Sequence, residues 1–470
     1  MSSTSEAAAL ASPAAPAAQK GDHLCVFVHG LWGNPGHLQF LSDTLRACHD
    51  ESVLQILVCK NNAGHHTYDG IETGGERVAK EIEDLLEQSA SEGVEIRKIS
   101  VVGYSLGGLV LRYAIGLLYS KGCFQKIQPV NFTTFASPYL GVRIPLLGWH
   151  NHIWNVLAAR TLSESGRQLF MIDKFRGTDR PLLSVLADKN SVFYKGLAMF
   201  ANKALYANVT NDRTTSWYTS AISRHDPFAD LSAVTVKYLP KYAPVILDPE
   251  DPVQLATPRT EDLSMSSRIA RSGKKVAKLP MMLVYIVIVP IGISIFLANS
   301  VLQGVLSKRR IRLHGNQKEW HGYQSFPLLA EEIQEATDHA IEDMHHELPP
   351  QHLPPGSKEQ GDDSDGSESE ELLTDSMVGI TNSVVMSSSE RSHDIPEKHR
   401  DRHTEFPTLA LHPLQFRMIH NLDSLNIKKF PVWIHNIPFA HAAIVVRRQT
   451  ESYNEGKVVA EHWIKEVFQI

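Results

Sequence analysis

The sequence predicts an α/β protein: a mostly parallel sheet with helices on both faces. Two observations carry this reading. Short apolar runs recur between longer stretches of helical periodicity. This alternation of strand and helix argues for a parallel sheet covered on both faces. One of the runs leads directly into Gly103-Tyr104-Ser105-Leu106-Gly107, a turn built to join a strand to a helix.

Taken in order, Leu24 to His29 is the first apolar run and Gly30 stops it. Helical periodicity follows over His37 to Cys48, then a second run from Val53 to Val58. Glu76 to Gln88 places apolar residues at helical spacing with charges between them. Ile96 to Val102 is the strand before the Ser105 turn, and Leu106 to Tyr119 the apolar helix after it. Val130 to Phe135 is a further strand. Between about 140 and 202 the pattern turns helical and rich in Trp, Leu and Phe, the signature of a lid over the site. Strand character returns at Ala204 to Val209 and at Phe430 to Ile434, and a helix over Gly456 to Phe468 closes the chain.

At 470 residues the chain exceeds the roughly 250 that one α/β core needs, which leaves room for additions. Residues 1–21 form a disordered tail without the basic and apolar regions of a targeting signal. The core occupies 22–245 and 406–470, separated by a linker (246–278), an apolar segment (279–306), a helical connection (307–348) and an acidic disordered insertion (349–405). The net charge of -6 is concentrated in that insertion, at Gly361 to Glu371, and gives no basis for nucleic-acid binding. Four cysteines without paired spacing suggest neither a disulfide framework nor a zinc site, and favour a reducing compartment.

A serine hydroxyl is a weak nucleophile unless a base removes its proton and donors hold the developing oxyanion. In Gly-x-Ser-x-Gly, small neighbours permit a strained turn that lifts the hydroxyl above the sheet, so Ser105 is the candidate nucleophile. Leu106, at the start of the following helix, has an amide free to serve an oxyanion. The second donor belongs in the loop after the first strand, His29-Gly30-Leu31-Trp32-Gly33, where Leu31 is favoured and Trp32 is the alternative. His29 precedes the nucleophile and reads as structural.

In this chain order an acid follows the nucleophile and a histidine comes last. Asp212, in the polar turn after the strand ending near Val209, is the candidate acid, with Asp226 and Asp230 as competitors and Asp173 too early. Among His412, His420, His435, His441 and His462, the candidate base is His441, in the loop after the last strand, with His435 as runner-up. His462 falls in the terminal helix and reads as a surface residue.

His29-Gly-Leu-Trp-Gly-Asn, Gly103-Tyr-Ser-Leu-Gly-Gly, Ala136-Ser-Pro-Tyr-Leu-Gly141, Asn208-Val-Thr-Asn-Asp212-Arg and His441-Ala-Ala-Ile-Val-Val-Arg447 together resemble the fungal putative serine esterase family, which has the α/β-hydrolase fold. The resemblance covers roughly 22–245 and 406–470. It implies a lipase-type activity on glycerophospholipids or acylglycerols, as in lipid-droplet phospholipases and monoacylglycerol lipases. It also implies Ser105, Asp212 and His441 as the triad, with no metal or cofactor required. A separate pattern, His225-x4-Asp230, occurs in lysolipid acyltransferases and keeps that activity as an alternative. Transacylation, and a catalytically inactive membrane scaffold, are the others.

Leu279 to Leu306 is a run of 28 residues without a charge, split by Pro290 and Gly292 and flanked by Lys274, Lys275, Lys278, Lys308, Arg309, Arg310 and Arg312. A single span would put Ser105 and Asp212 on one side of a membrane and His441 on the other. A re-entrant hairpin with both ends on the cytosolic face, at a membrane, lipid droplet or endoplasmic reticulum, keeps them together. A buried core element is the alternative.

Overall fold

The computed structural model describes residues 20–142, 163–255, 302–317 and 406–470. Strands β1 (His23–Val28), β2 (Leu54–Val58), β3 (Lys98–Tyr104), β4 (Gln128–Phe135) and β5 (Asn202–Asn208) come first in the chain. Two short strands, β6 (Val234–Val236) and β7 (Val253–Leu255), form a separate antiparallel pair, and β8 (Lys428–Val432) comes last. Six of these make one sheet in the order β2-β1-β3-β4-β5-β8, every neighbouring pair parallel.

The chain enters in the interior of this sheet at β1, steps outward to β2, then crosses back to β3. Such a reversal opens a crevice at the carboxyl ends of the two strands flanking it, because the connections leave in opposite directions. Val28 of β1 is in register with Gly103 of β3, so the loops carrying Leu31 and Ser105 emerge side by side.

Successive side chains of a strand face opposite ways, and here both faces are covered. Leu24, Val26 and Val28 join the core beneath α2 (Gly70–Ser91) and α3 (Leu106–Ser120). Cys25 and Phe27 join the other core, with α1 (Gln39–Cys48) and the C-terminal helix. Burial raises the pKa of the Cys25 and Cys59 thiols, which keeps them unreactive.

Helix α2 begins six residues earlier than its apolar periodicity indicates, because Gly70, Gly74 and Gly75 in its first turns read as poor helix formers. At Gly75 they are a contact surface instead. A Cβ there would lie 2.6 Å from the Tyr113 ring, so the glycine lets α2 and α3 close together.

The segment expected to form a lid divides. Residues 143–162 lie outside the described residues. The remainder contains α4 (Glu164–Leu169), α5 (Leu182–Leu186) and α6 (Val192–Ala198). Leu182, Leu183, Val185, Leu186, Phe193 and Leu197 are fully buried in the core shared with α3. That half is therefore body rather than cover, and its aromatic and leucine content reflects this burial.

The linker placed at 246–278 also begins later. Ile246 and Leu247 are fully buried, Ile246 bridges to Val432, and residues 253–255 are β7. Three runs were too short to read as strand or helix: the three-residue strands β6 and β7 and the four-residue α7 (Trp217–Ser220). Residues 302–315 form one helix, α8, so the last residues of the uncharged run belong to the helical element that follows. The predicted tail (1–19), most of the apolar segment (279–301) and the acidic insertion (349–405) lie outside the described residues. Among the described residues, no helix is long and apolar enough to cross a membrane.

The second part of the core contributes α9 (Pro413–Asp423), β8, α10 (Ala440–Ala443) and α11 (Asn454–His462), continued by a wider turn over Trp463–Val467. Helix α9 was not legible as periodicity, but His412 caps it, its Nδ1 accepting from the Leu414 amide. Trp463 locks the end of the chain onto the sheet. It is fully buried edge-on to Phe27 and Phe135, and its Nε1 donates to Thr133 Oγ1 at 3.1 Å. Replacing Trp463 by Ala should cost about 3–5 kcal/mol, as other buried Trp and Phe truncations do. Urea unfolding followed by far-UV circular dichroism measures it, and a loss under about 1 kcal/mol would show that the C-terminal helix is not held there.

Candidate active site

Ser105 lies between β3 and α3 with φ 55 and ψ -130. A β-carbon makes this region costly for any residue but glycine, so the surroundings must enforce it. They do so by close approach. A Cβ at Gly103 would lie 2.5 Å from the Gly108 Cα, one at Gly107 2.2 Å from the Val28 carbonyl oxygen, and one at Gly30 2.6 Å from the Ser105 Cβ. The Ser105 amide donates to the Phe135 carbonyl at 2.9 Å, and the Ser137 hydroxyl to the Ser105 carbonyl at 2.8 Å. The turn is thus pinned to β4 on one side and to the loop after β1 on the other.

The Ser105 hydroxyl lies 2.9 Å from His441 Nε2, and His441 Nδ1–H donates to Asp212 Oδ2 at 2.9 Å. The carboxylate accepts at Nδ1, so the other ring nitrogen is free to accept from the serine. Asp212 sits at the exit of β5, its side chain 2% exposed. Oδ1 accepts from the amides of Thr214 and Thr215, and Oδ2 also accepts from Asn208 Nδ2. Burial alone would raise its pKa. The neighbouring His441, the Thr215 amide and Asn208 outweigh burial, and the pKa is lowered.

Two side chains that sequence reasoning left without a role hold His441 in place. Tyr104 donates its hydroxyl to the His441 carbonyl at 2.8 Å, and burial raises that phenol's pKa so that it stays a donor. Asn211, at φ 60, donates from Nδ2 to the Ile434 carbonyl at 3.1 Å, and its own carbonyl accepts from the Ala440 amide at 3.1 Å. It stitches the acid turn to the histidine loop. The available signal was an Asn at a strand exit, the residue that best tolerates positive φ after glycine.

The structure also sorts the alternatives. The Trp32 amide donates to Thr67 Oγ1 at 3.1 Å and is thus engaged in the fold. His29 is buried, its Nδ1 bonded to the Gly30 carbonyl at 3.1 Å and its pKa lowered by desolvation. His435 pairs with Glu455 at 2.9 Å. Asp226 and Asp230 accept from the amides two residues on, in local turns, and Asp173 accepts from the Leu182 amide, its pKa raised by burial to about 6. His225, the other half of the His-x4-Asp pattern, bridges to Thr408. His462 corrects one expectation. It is buried against Tyr206, Tyr242 and Phe430, bonded to the Tyr206 hydroxyl at 2.7 Å, and desolvation lowers its pKa to about 4. The terminal helix packs that face inward, against the second core.

Residues 18–223 match the family described as putative serine esterase (DUF676). A putative lipase of Schizosaccharomyces pombe is 31% identical over 211 residues, 43% of this chain and 26% of that protein. The putative lipase ROG1 of Saccharomyces cerevisiae is 31% identical over 242 residues, 50% of this chain and 34% of that protein. The chain thus spans about a quarter to a third of the length of these relatives. A solved lipase-esterase related protein from Clostridium acetobutylicum is 16% identical with a TM-score of 0.25, covering 43% of this chain and 81% of that one. That overlap is shallow, and the fold stands on the sheet order itself.

A carboxyl whose folded pKa is lowered contributes stability at pH values above the unfolded carboxylate range, and loses it as pH falls through the folded value. The Asp212→Asn variant lacks this contribution. Between pH 6 and pH 3 wild type should therefore lose more unfolding free energy than Asp212→Asn, measured by urea denaturation at each pH. Parallel losses would show that Asp212 is not held as a stabilised carboxylate.

Proposed function

We propose that this chain, whose residues 18–223 fall in the putative serine esterase family, is a serine-dependent lipid-ester hydrolase. The observation that carries the reading is the hydrogen-bonded series Asp212, His441, Ser105, ending on a strained serine at the mouth of the crevice. His441 Nε2 takes the Ser105 proton as Oγ attacks the acyl carbonyl. The amides of Leu31 and Leu106 hold the oxyanion, a contribution of about 10²–10³ per donor in rate. His441 then returns the proton to the departing alcohol, leaving an acyl-serine. Water attacks that ester with His441 again as base, and the fatty acid leaves. Asp212 holds the ring in the tautomer that can accept from serine, and stabilises the imidazolium once formed.

The surroundings of the site support a lipid substrate class. Trp32, beside the oxyanion loop, is 56% exposed, and Phe439, two residues before His441, is 53% exposed. Large apolar groups held in water at the rim of a catalytic crevice suit an acyl chain or a lipid surface. Relatives named as lipases agree with this. The uncharged run from Leu279 to Leu306 supplies the means of staying at such a surface. The run lies between Asp212 and His441 in the chain, so the proposed arrangement is a membrane- or droplet-anchored hairpin with both ends on one side. Glycerophospholipids and acylglycerols presented at a cytosolic membrane or droplet face are the proposed substrates.

A fluorophosphonate probe should label wild type at Ser105, and Ser105→Ala should lose both labelling and fatty-acid release from a panel of phospholipids and mono-, di- and triacylglycerols. Wild type that stays unlabelled while folded would end the proposal. Labelling without release from any lipid would leave a serine hydrolase of another substrate class.

A further inference from the structure

Helix α8 (302–315) is amphipathic the wrong way round for a helix resting on a protein core. Its inward face is polar: Gln303, Ser307 and His314 are buried, and Arg310 is partly so. Its outward face carries Leu302, Val305 and Leu313, which are 55%, 62% and 55% exposed, with Lys308, Arg309 and Arg312 exposed among them. At ~100° per residue, Leu302, Val305, Leu306, Arg309 and Leu313 share one stripe.

The polar face is anchored firmly. Asp69, its side chain fully buried, accepts from Ser307 Oγ at 2.8 Å and is paired with Arg310 at 2.8 Å and Arg77 at 2.9 Å. His314 Nε2 lies 2.7 Å from Glu76 Oε2 at the far end. The turn this helix grips is the one that supports the oxyanion loop. Ser307 Oγ also reaches the Tyr68 carbonyl, the Tyr68 hydroxyl accepts from Trp32 Nε1 at 2.6 Å, and Thr67 holds the Trp32 amide. The inward face of α8, at Ser307, and the exposed Trp32 ring are therefore both hydrogen-bonded to Tyr68.

We infer that the outward face of α8 is an interfacial surface that docks on anionic lipid and brings the Trp32 side of the crevice to it. This deepens, and rests on, the lipid-surface reading above. Three features choose lipid over a protein partner. Apolar and basic side chains are interleaved, which suits acyl chains beneath anionic headgroups. The helix continues directly from the uncharged run that precedes it in the chain. The charged network on its inner side fixes its roll, since the stripe cannot turn inward without taking Ser307 and Arg310 from the buried Asp69 and His314 from Glu76.

The test uses full-length Ser105→Ala protein, which leaves vesicles intact, and sedimentation with vesicles of phosphatidylcholine alone or with phosphatidylserine. Lys308→Glu, Arg309→Glu and Arg312→Glu combined should weaken partitioning onto phosphatidylserine vesicles by about tenfold or more, since each surface cation is worth roughly fivefold there. The same triple change with Ser105 intact should leave turnover of a soluble short-chain ester unaltered. If the triple variant fails to fold, Leu302→Ser, Val305→Ser and Leu313→Ser combined provides the second reading, and should lower partitioning onto both vesicle types. Partitioning equal to the parent in the folded variants would overturn the inference, since the preceding segment would then bind alone. So would a parent that self-associates in solution and becomes monomeric on these changes, which would make the face a contact between copies. Wild type that binds the vesicles yet releases no fatty acid would sink the hydrolase reading and leave this one standing.

Discussion

Everything at the crevice depends on keeping Ser105 in a backbone conformation that its own β-carbon opposes. Such a residue costs on the order of 1–3 kcal/mol, and it persists only where its neighbours leave no relaxed alternative. Here Ser105 is the single residue between the end of β3 and the start of α3. The crossing is possible only because Gly103, Gly107 and Gly108 let three backbones approach within distances a side chain would forbid. Gly30 has the same role toward the β1 loop, where any side chain would strike the serine itself. The glycines of both motifs therefore answer one steric requirement: a strained serine beside an open amide-bearing loop.

The partners of that serine come from far along the chain, and the sheet gathers them. Asp212 follows β5 and His441 follows β8, neighbouring parallel strands in register from Ala204 and Lys428 to Asn208 and Val432. Parallel strands release their carboxyl ends on the same edge, so a carboxylate and an imidazole separated by 229 residues need only short loops to meet. Asn211 and Tyr104 then remove the remaining freedom by binding backbone groups of the histidine loop. Preorganisation of this kind is what lets a hydrogen-bonded series act without reorganising as charge develops.

Most of the sheet was legible because its signal is local. A strand buried on both faces is rich in apolar residues, and the apolar runs match β1 through β5 to within a few residues of their limits. The serine turn and its acid were legible for a related reason, since glycine and Asn-Asp have few conformational excuses for being where they are. What escaped was set by tertiary packing. Nothing in the composition of residues 182–198 separates a lid from a helical layer; only the contact of Phe193 and Leu197 with α3 does. His462 escaped similarly, because a terminal helix shows its buried face only once Tyr206 and Phe430 are beside it. Helix α2 lost its first turns to a rule about glycine in helices that Tyr113 overrides.

Helix α8 combines both lessons. Its hydrophobic residues, read alone, continue the uncharged run, and its basic residues look like a flank that stops it. In the fold these belong to one surface, because the residues that decide its orientation are neither. Ser307, Arg310 and His314 occur at helical spacing among leucines and arginines, and only the buried carboxylates of Asp69 and Glu76 give them a direction. A buried carboxylate left without its cation is strongly destabilising. Helix α8 is thus tied to the body of the fold at the turn that also holds Trp32. A helix that enters between β7 and α9 could have been tethered anywhere on the surface. Its attachment to Asp69 sets its outward face on the side of the fold that carries Trp32.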